Sequence, residues 1–235
     1  MDRWLRRNEK LLCWFAFAFF IFTATYKLTN APLWFDETIE YWYSKSMIGE
    51  LPFQNAGRSN MYQRIVSTYQ PPLYNVIMYI WLKAGESEWW FRFFGVVMGF
   101  AGMIALYKTM CKIKNINLAV LAVVFSACVY QLVYYWQECA EYCLMLGMLF
   151  WTIYFWFCLM ENPAAKNIIC FTVFAVIPVY SQYGAAFPVA AMAFIAFLHV
   201  ISLKERKSIV MIVASYAIAL LGAGLPLYYF FLKKQ

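Results

Sequence analysis

Eight apolar runs, parted by short polar or basic turns, make up most of this 235-residue chain and decide what it can fold into. They are Leu11–Leu28, Leu73–Leu82, Trp89–Met110, Asn117–Trp136, Cys139–Met160, Ile168–Tyr183, Ala185–Leu203 and Ile209–Phe231. A helix rises about 1.5 Å per residue, so roughly 20 apolar residues cross the ~30 Å hydrocarbon core of a bilayer. Six runs come close to that length. Ile168–Tyr183 is shorter, carries Pro178 and is followed by Gly184, which suits one limb of a tight hairpin with the next run. Leu73–Leu82 is the exception. Pro71 and Pro72 fix its start, while Lys83, Gly85, Glu86 and Glu88 end it. A helix from Pro72 would cover only about 18 Å, so it is predicted to lie at the interface or dip partway in.

The expected fold is therefore an all-α, polytopic transmembrane bundle of about seven spans. It forms a single module over residues 1–235, with juxtamembrane helices in a first extracytoplasmic loop at 29–70. Composition agrees: 64% of the residues are hydrophobic and 13% charged, against about 45–50% and about 25% in soluble domains. The formal charge of +7 could suggest nucleic acid as a partner. The basic residues instead sit in short clusters between apolar runs, as in cytoplasmic loops, so membrane lipids are the expected surroundings. Arg3, Arg6, Arg7 and Lys10 precede a first run too long for a cleaved signal core, which reads as a retained anchor with its N-terminus cytoplasmic. If the short helix does not cross, Lys108, Lys112, Lys114, Lys166, Lys204, Arg206 and Lys207 all join that inner cluster. If it crosses, all seven move outside, so the positive-inside rule selects the first arrangement for this multi-pass cell-membrane protein. Seven spans also place Lys233 and Lys234 outside, an awkward position that suggests a longer protein or a count off by one.

With that topology the acids fall on one face. Asp36 and Glu37 lie just outside the first run, ahead of Ile39, Trp42, Tyr43 and Met47 at helical spacing. They are expected to open an amphipathic helix, where the helix dipole alone would favour them; the same dipole suits a metal or cation ligand. Glu138 falls at an outer turn, with Glu141 three residues on. Ionisable groups at membrane depth are costly and usually face a cavity or a partner, although a solvated turn would also explain this pair. Arg92 follows Trp89-Trp90-Phe91 at an outer helix start, suited to snorkelling or to neutralising a phosphate. Tyr69-Gln70-Pro71-Pro72-Leu73-Tyr74 is a rigid turn entering a helix, and Ser181-Gln182-Tyr183 adds polar groups at another outer end. The seven cysteines show no metal or disulfide spacing and read as small packing residues. His199 reads as an interfacial residue beside the Lys204–Lys207 loop.

The ordered set of Asp36-Glu37, Tyr69 to Tyr74, Arg92, Gln137-Glu138 with Tyr142, and Tyr180 to Tyr183 resembles the N-terminal module of the GT-C membrane glycosyltransferases. These include the protein O-mannosyltransferases and the lipid A aminoarabinose transferases. The resemblance implies a cell-envelope enzyme that moves a sugar from a polyprenyl-phosphate donor to an acceptor hydroxyl on a lipid, glycan or protein, with inversion. It implies catalytic roles for Asp36, Glu37 and Glu138, and substrate-binding roles for Tyr69, Gln70, Tyr74, Arg92, Gln137, Tyr142 and Gln182. No cofactor is certain; a divalent metal, if one is used, would fall to Asp36 and Glu37. Two positions depart from the family pattern. Gln70 stands where relatives often have a basic residue, and Ala140 where many have arginine. Both changes remove a phosphate partner, which leaves room for a divergent substrate or an inactive subunit. A transporter or flippase is the rival reading, but it would show inverted repeats and charges near the midplane.

The charge count yields a direct test. In a cysteine-free background, an impermeant maleimide applied to intact cells is expected to label a cysteine at position 36 and not one at 112. The reverse pattern would overturn this orientation.

Overall fold

The computed structural model describes residues 8–30, 32–46, 71, 73–204 and 206–231, without the side chains of 46 and 219–231. Ten α-helices run through these residues, and no strand occurs among them. They are α1 (Glu9–Thr25), α2 (Phe35–Ser46), α3 (Leu73–Leu82), α4 (Glu88–Ile113), α5 (Ile116–Cys128), α6 (Tyr130–Gln137), α7 (Glu141–Glu161), α8 (Ala165–Ser181), α9 (Ala186–Ser202) and α10 (Arg206–Phe231), with a 3-10 turn at Tyr183–Ala185 before α9.

The all-α expectation holds, while the count of seven spans is not confirmed. Three segments are long and apolar enough to cross a membrane: α4, α7, and the 3-10 turn joined to α9. The pair α5 and α6 would make a fourth if counted as one span. The run Asn117–Trp136 is thus not the continuous helix its composition suggests. It breaks at Val129, and its two halves lie at 71° to one another. Val129 is extended (φ −77°, ψ 108°), and its amide donates to the carbonyls of Phe125 and Ser126. The cause is tertiary: the turned α6 delivers Trp136, which is fully buried, against two glycines of α4.

Those glycines set how closely the helices meet. A Cβ on Gly95 would lie 2.5 Å from the Trp136 carbonyl oxygen, and one on Gly99 would lie 2.8 Å from its indole. On α7, a Cβ on Gly147 would come 2.7 Å from the Met98 carbonyl oxygen of α4. Small residues that let backbones approach are the usual means of packing helices in a bilayer. Around this contact Phe20, Tyr74, Met78, Phe91, Phe94 and Met103 close a buried core. A second core, built on Leu159, Ile168, Phe171, Ala196, Val200 and Ile212, joins α7 to α8, α9 and α10. Beside it, α8, α9 and α10 line an apolar cavity of about 640 Å³.

The α3–α4 hairpin is held by a reciprocal pair of indoles. Trp81 Nε1 donates to the Trp90 carbonyl at 2.9 Å, Trp90 Nε1 donates to the Trp81 carbonyl at 3.0 Å, and the rings stack at 4.4 Å. The Ser87 hydroxyl accepts from the Trp90 amide and caps α4. The predicted short helix is found at its predicted bounds, braced against the start of α4.

The tight crossing at Gly147 generates an expectation. Gly147→Ala forces backbone against backbone and is expected to destabilise the protein by about 1–3 kcal/mol, the usual range for overpacking. A fall in the thermal unfolding midpoint of detergent-solubilised protein would show it. An unchanged midpoint would contradict the close α4–α7 approach.

Candidate active site

The acids of the first loop do open a helix. Asp36 and Glu37 occupy the first turn of α2, and the Thr38 hydroxyl donates to the Trp34 carbonyl at 3.0 Å. Successive residues then point opposite ways: Asp36 is exposed and Glu37 is buried.

Glu37 meets Arg92 in a buried, two-pronged ion pair. Arg92 Nε donates to Glu37 Oε1 at 2.9 Å, and Nη2 donates to Oε2 at 2.6 Å. Arg92 also reaches the carbonyls of Leu28 at 2.9 Å and Pro32 at 3.3 Å. Glu37 accepts two backbone amides besides, Cys139 at 3.0 Å through Oε1 and Trp34 at 3.3 Å through Oε2. The ion pair thereby ties α2, the segment after α1, the start of α4 and the α6–α7 turn together.

The Cys139 amide bond brings Glu138 into the same place. Glu138 is only 5% exposed, and its Oε2 has no hydrogen-bond partner among the described residues. Burial first, then the charges of Glu37, Glu141 and Asp36, push its carboxyl up from 4.5 to about 7; the Trp34 side chain opposes them weakly. Glu40, one helical turn beyond Asp36, is also raised to about 7, by burial and then by Glu141. Its Oε2 accepts a hydrogen bond from Asn75 Nδ2 of α3 at 2.5 Å. Asp36, Glu40, Glu138 and Glu141 therefore form an acidic cluster. None of the four enters an ion pair among the described residues.

Of the residues expected at a site, the fold brings Asp36, Glu37, Arg92 and Glu138 together across more than 100 positions, the Glu37–Cys139 bond alone linking residues 102 apart. Tyr142 joins them: it lies within the fields of Glu141, Glu138 and Asp36 and packs on Tyr135 at 5.2 Å. Tyr74 lies beneath, buried in the core with its hydroxyl 3.2 Å from Cys139 Sγ. Gln137 closes the end of α1, its Nε2 donating to the carbonyls of Thr23 at 3.1 Å and Tyr26 at 2.9 Å. The Gln182 carboxamide accepts from the Gly184 amide within its own turn, and no hydrogen bond or ion pair ties it to the acids among the described residues. Tyr69 and Gln70 lie outside the described residues. Ala140, where relatives often carry arginine, is buried at the start of α7.

A metal does not fit these acids as they stand. Both Glu37 oxygens are already engaged, and among the described residues no three His, Cys, Asp or Glu side chains are grouped to hold an ion. Sequence reasoning passed over Glu40 and Asn75. Their signal was present in part: Glu40 follows Asp36 at i+4, the spacing of helix neighbours, but the Asn75 contact joins residues 35 apart and could not be read.

A family model described as dolichyl-phosphate-mannose-protein mannosyltransferase matches residues 69–228, about two thirds of the chain. No curated protein matches it.

The raised Glu138 carboxyl has a consequence for stability. Between 4.5 and about 7 the folded protein holds a proton that the unfolded chain has released, so stability falls as pH rises through that window. Glu138→Gln removes the buried charge. It is expected to raise the thermal midpoint at pH 8 and to change it little at pH 5. Equal shifts at both pH values would contradict a buried, uncompensated carboxylate.

Proposed function

Because this chain belongs to the dolichyl-phosphate-mannose-protein mannosyltransferase family, we propose that it transfers a mannose-type sugar from a polyprenyl-phosphate donor to an acceptor hydroxyl on the extracytoplasmic face. The observation that carries this reading is the division of labour within Asp36-Glu37. One carboxylate is locked into the scaffold, and its neighbour is left exposed beside a buried acid with one unpartnered oxygen.

The reaction follows from that placement. Asp36 takes the proton of the acceptor hydroxyl, and the oxygen attacks the anomeric carbon. The bond from that carbon to the phosphate oxygen breaks, and polyprenyl phosphate leaves with the electron pair. An in-line displacement of this kind inverts the anomeric centre. Glu37 is poorly placed to take the proton, since both its oxygens already accept charged or amide donors. Its part, with Arg92, is to hold Asp36 in position; the guanidinium already engages Glu37 and two carbonyls. Glu138 presents Oε2 as a further acceptor for a sugar hydroxyl or the passing proton. A general base of this kind contributes typically about 10²–10⁴-fold.

The lipid half of the donor also has a place to go. The cavity of about 640 Å³ beside α8 is lined by Phe171, Val179, Val189, Phe197 and other apolar side chains. Such volumes are within the roughly 300–1,000 Å³ of small-molecule sites, and α8 also packs on α3, which carries Asn75. An isoprenoid segment lying there would keep its tail in hydrocarbon while the phosphate reaches the acids.

Proteoliposomes supplied with labelled polyprenyl-phosphate mannose and a hydroxyl-bearing acceptor test the reading. Asp36→Asn is expected to lower turnover at least 100-fold at unchanged protein abundance, because an exposed acid contributes little to stability. Full turnover in this variant would remove Asp36 from the mechanism.

A further inference from the structure

Pro178 opens the last turn of α8 and leaves a gap in its hydrogen bonding. Proline has no amide hydrogen, so the carbonyl four residues earlier, that of Phe174, loses its helical donor. The gap is filled from outside the helix. Thr152, buried on α7, donates its hydroxyl to the Phe174 carbonyl at 2.6 Å. The same hydroxyl lies 2.9 Å from the Met148 carbonyl, one turn back on α7. That carbonyl already has the amide of Thr152 as its helical donor, so the one hydroxyl proton is needed at Phe174. The Phe174 ring packs on Phe155 at 4.9 Å and on Trp151 at 5.7 Å. Both the backbone and the side chain of Phe174 are thus held by α7.

A different face of α8 is a wall of the apolar cavity. Phe171, Ala175 and Val179 line it at four-residue spacing, and Val179 comes directly after the proline. The facing helix is pinned in a similar manner. Trp156 Nε1 of α7 donates to the Met192 carbonyl of α9 at 2.9 Å, and the Tyr216 hydroxyl of α10 donates to the Ala193 carbonyl at 2.8 Å. Of these three bonds, the one from Thr152 alone meets a carbonyl that its own helix cannot serve. A buried carbonyl without a donor is costly, and neighbouring Ser or Thr side chains are a usual remedy beside a proline in a membrane helix.

We propose that Thr152 is a positioning residue for the lipid donor: its hydroxyl stands in for the amide that Pro178 lacks, and so fixes the α8 wall against which the isoprenoid segment lies. This rests on the reading of the cavity given above, and not on the identity of the sugar or the acceptor. Thr152 does not line the cavity; it acts through the Phe174 carbonyl. Without the hydroxyl, that carbonyl turns to find another donor, and Val179 moves with the last turn of α8.

A polyprenyl phosphate with a photoreactive diazirine on its isoprenoid chain reads the cavity directly in proteoliposomes, with the labelled peptides located by mass spectrometry. Wild-type protein is expected to be labelled on α8 and α9, in competition with unlabelled polyprenyl phosphate. Thr152→Val is expected to lower that labelling about tenfold, the effect of one buried hydrogen bond lost, and Thr152→Ser to restore it. Pro178→Ala returns an amide to the Phe174 carbonyl, so in that background Thr152→Val is expected to change nothing. In sugar transfer, Thr152→Val is expected to raise KM for a long-chain donor by a similar factor with kcat kept, and to leave KM for a short-chain donor unchanged. No competed label on α8 and α9 in the wild type, or an equal loss from Thr152→Val with and without Pro178, would overturn the proposal. Should Thr152→Val fold only when paired with Pro178→Ala, that dependence supports it instead. Competed label on α8 and α9 without any sugar transfer removes the transfer reading alone and leaves the role of Thr152 standing.

Discussion

The Glu37–Arg92 ion pair is the contact on which the acid-bearing end of this protein depends. Burying either charge alone would be severely unfavourable, and removing one partner of such a pair typically destabilises by about 3–5 kcal/mol. Here the charges are matched bond for bond: the guanidinium meets both carboxylate oxygens and two carbonyls, and the carboxylate meets two backbone amides. Four stretches of chain are thereby set in register, alongside the Gln137 bonds to the end of α1 and the packing of Trp136 on α4. Everything chemical about the site follows from that register, including the outward direction of Asp36 and the recess that holds Glu138.

The ion pair also explains why adjacent acids have unlike surroundings. On a helix, neighbouring side chains diverge by about 100°, so a first turn with two acids can point one inward and one outward. Glu37 lies in the scaffold and Asp36 lies at the surface. Glu138, in the α6–α7 turn, and Glu141, at the start of α7, differ from that couple in being alike: both are buried and neither is in an ion pair among the described residues. The site thus concentrates negative charge around one compensated pair.

Much of the fold was legible in the sequence because helix length and apolar continuity are local properties. The short helix at Leu73–Leu82 was bounded by its own prolines and by Gly85, and the acids at 36 and 37 announced a first turn. The break at Val129 was not legible: no proline or glycine lies between Asn117 and Trp136, and the bend is imposed by where Trp136 fits against Gly95 and Gly99. The same limit applies to the site. Asp36 and Glu138 could be placed on one face by counting charges, whereas the partners of Glu37 and Glu40 lie 55 and 35 residues away and depend on packing. Gln137 shows the converse case. It stands in a motif-like position, yet its carboxamide closes the end of α1.

The bend at Val129 reaches beyond the protein. Because α6 turns aside, α5 exposes the apolar side chains of Leu121 and Phe125 over only 13 residues, a length of about 20 Å. The surrounding hydrocarbon is about 30 Å thick. Such hydrophobic mismatch is relieved by thinning the bilayer locally, at a fraction of a kcal/mol per Å.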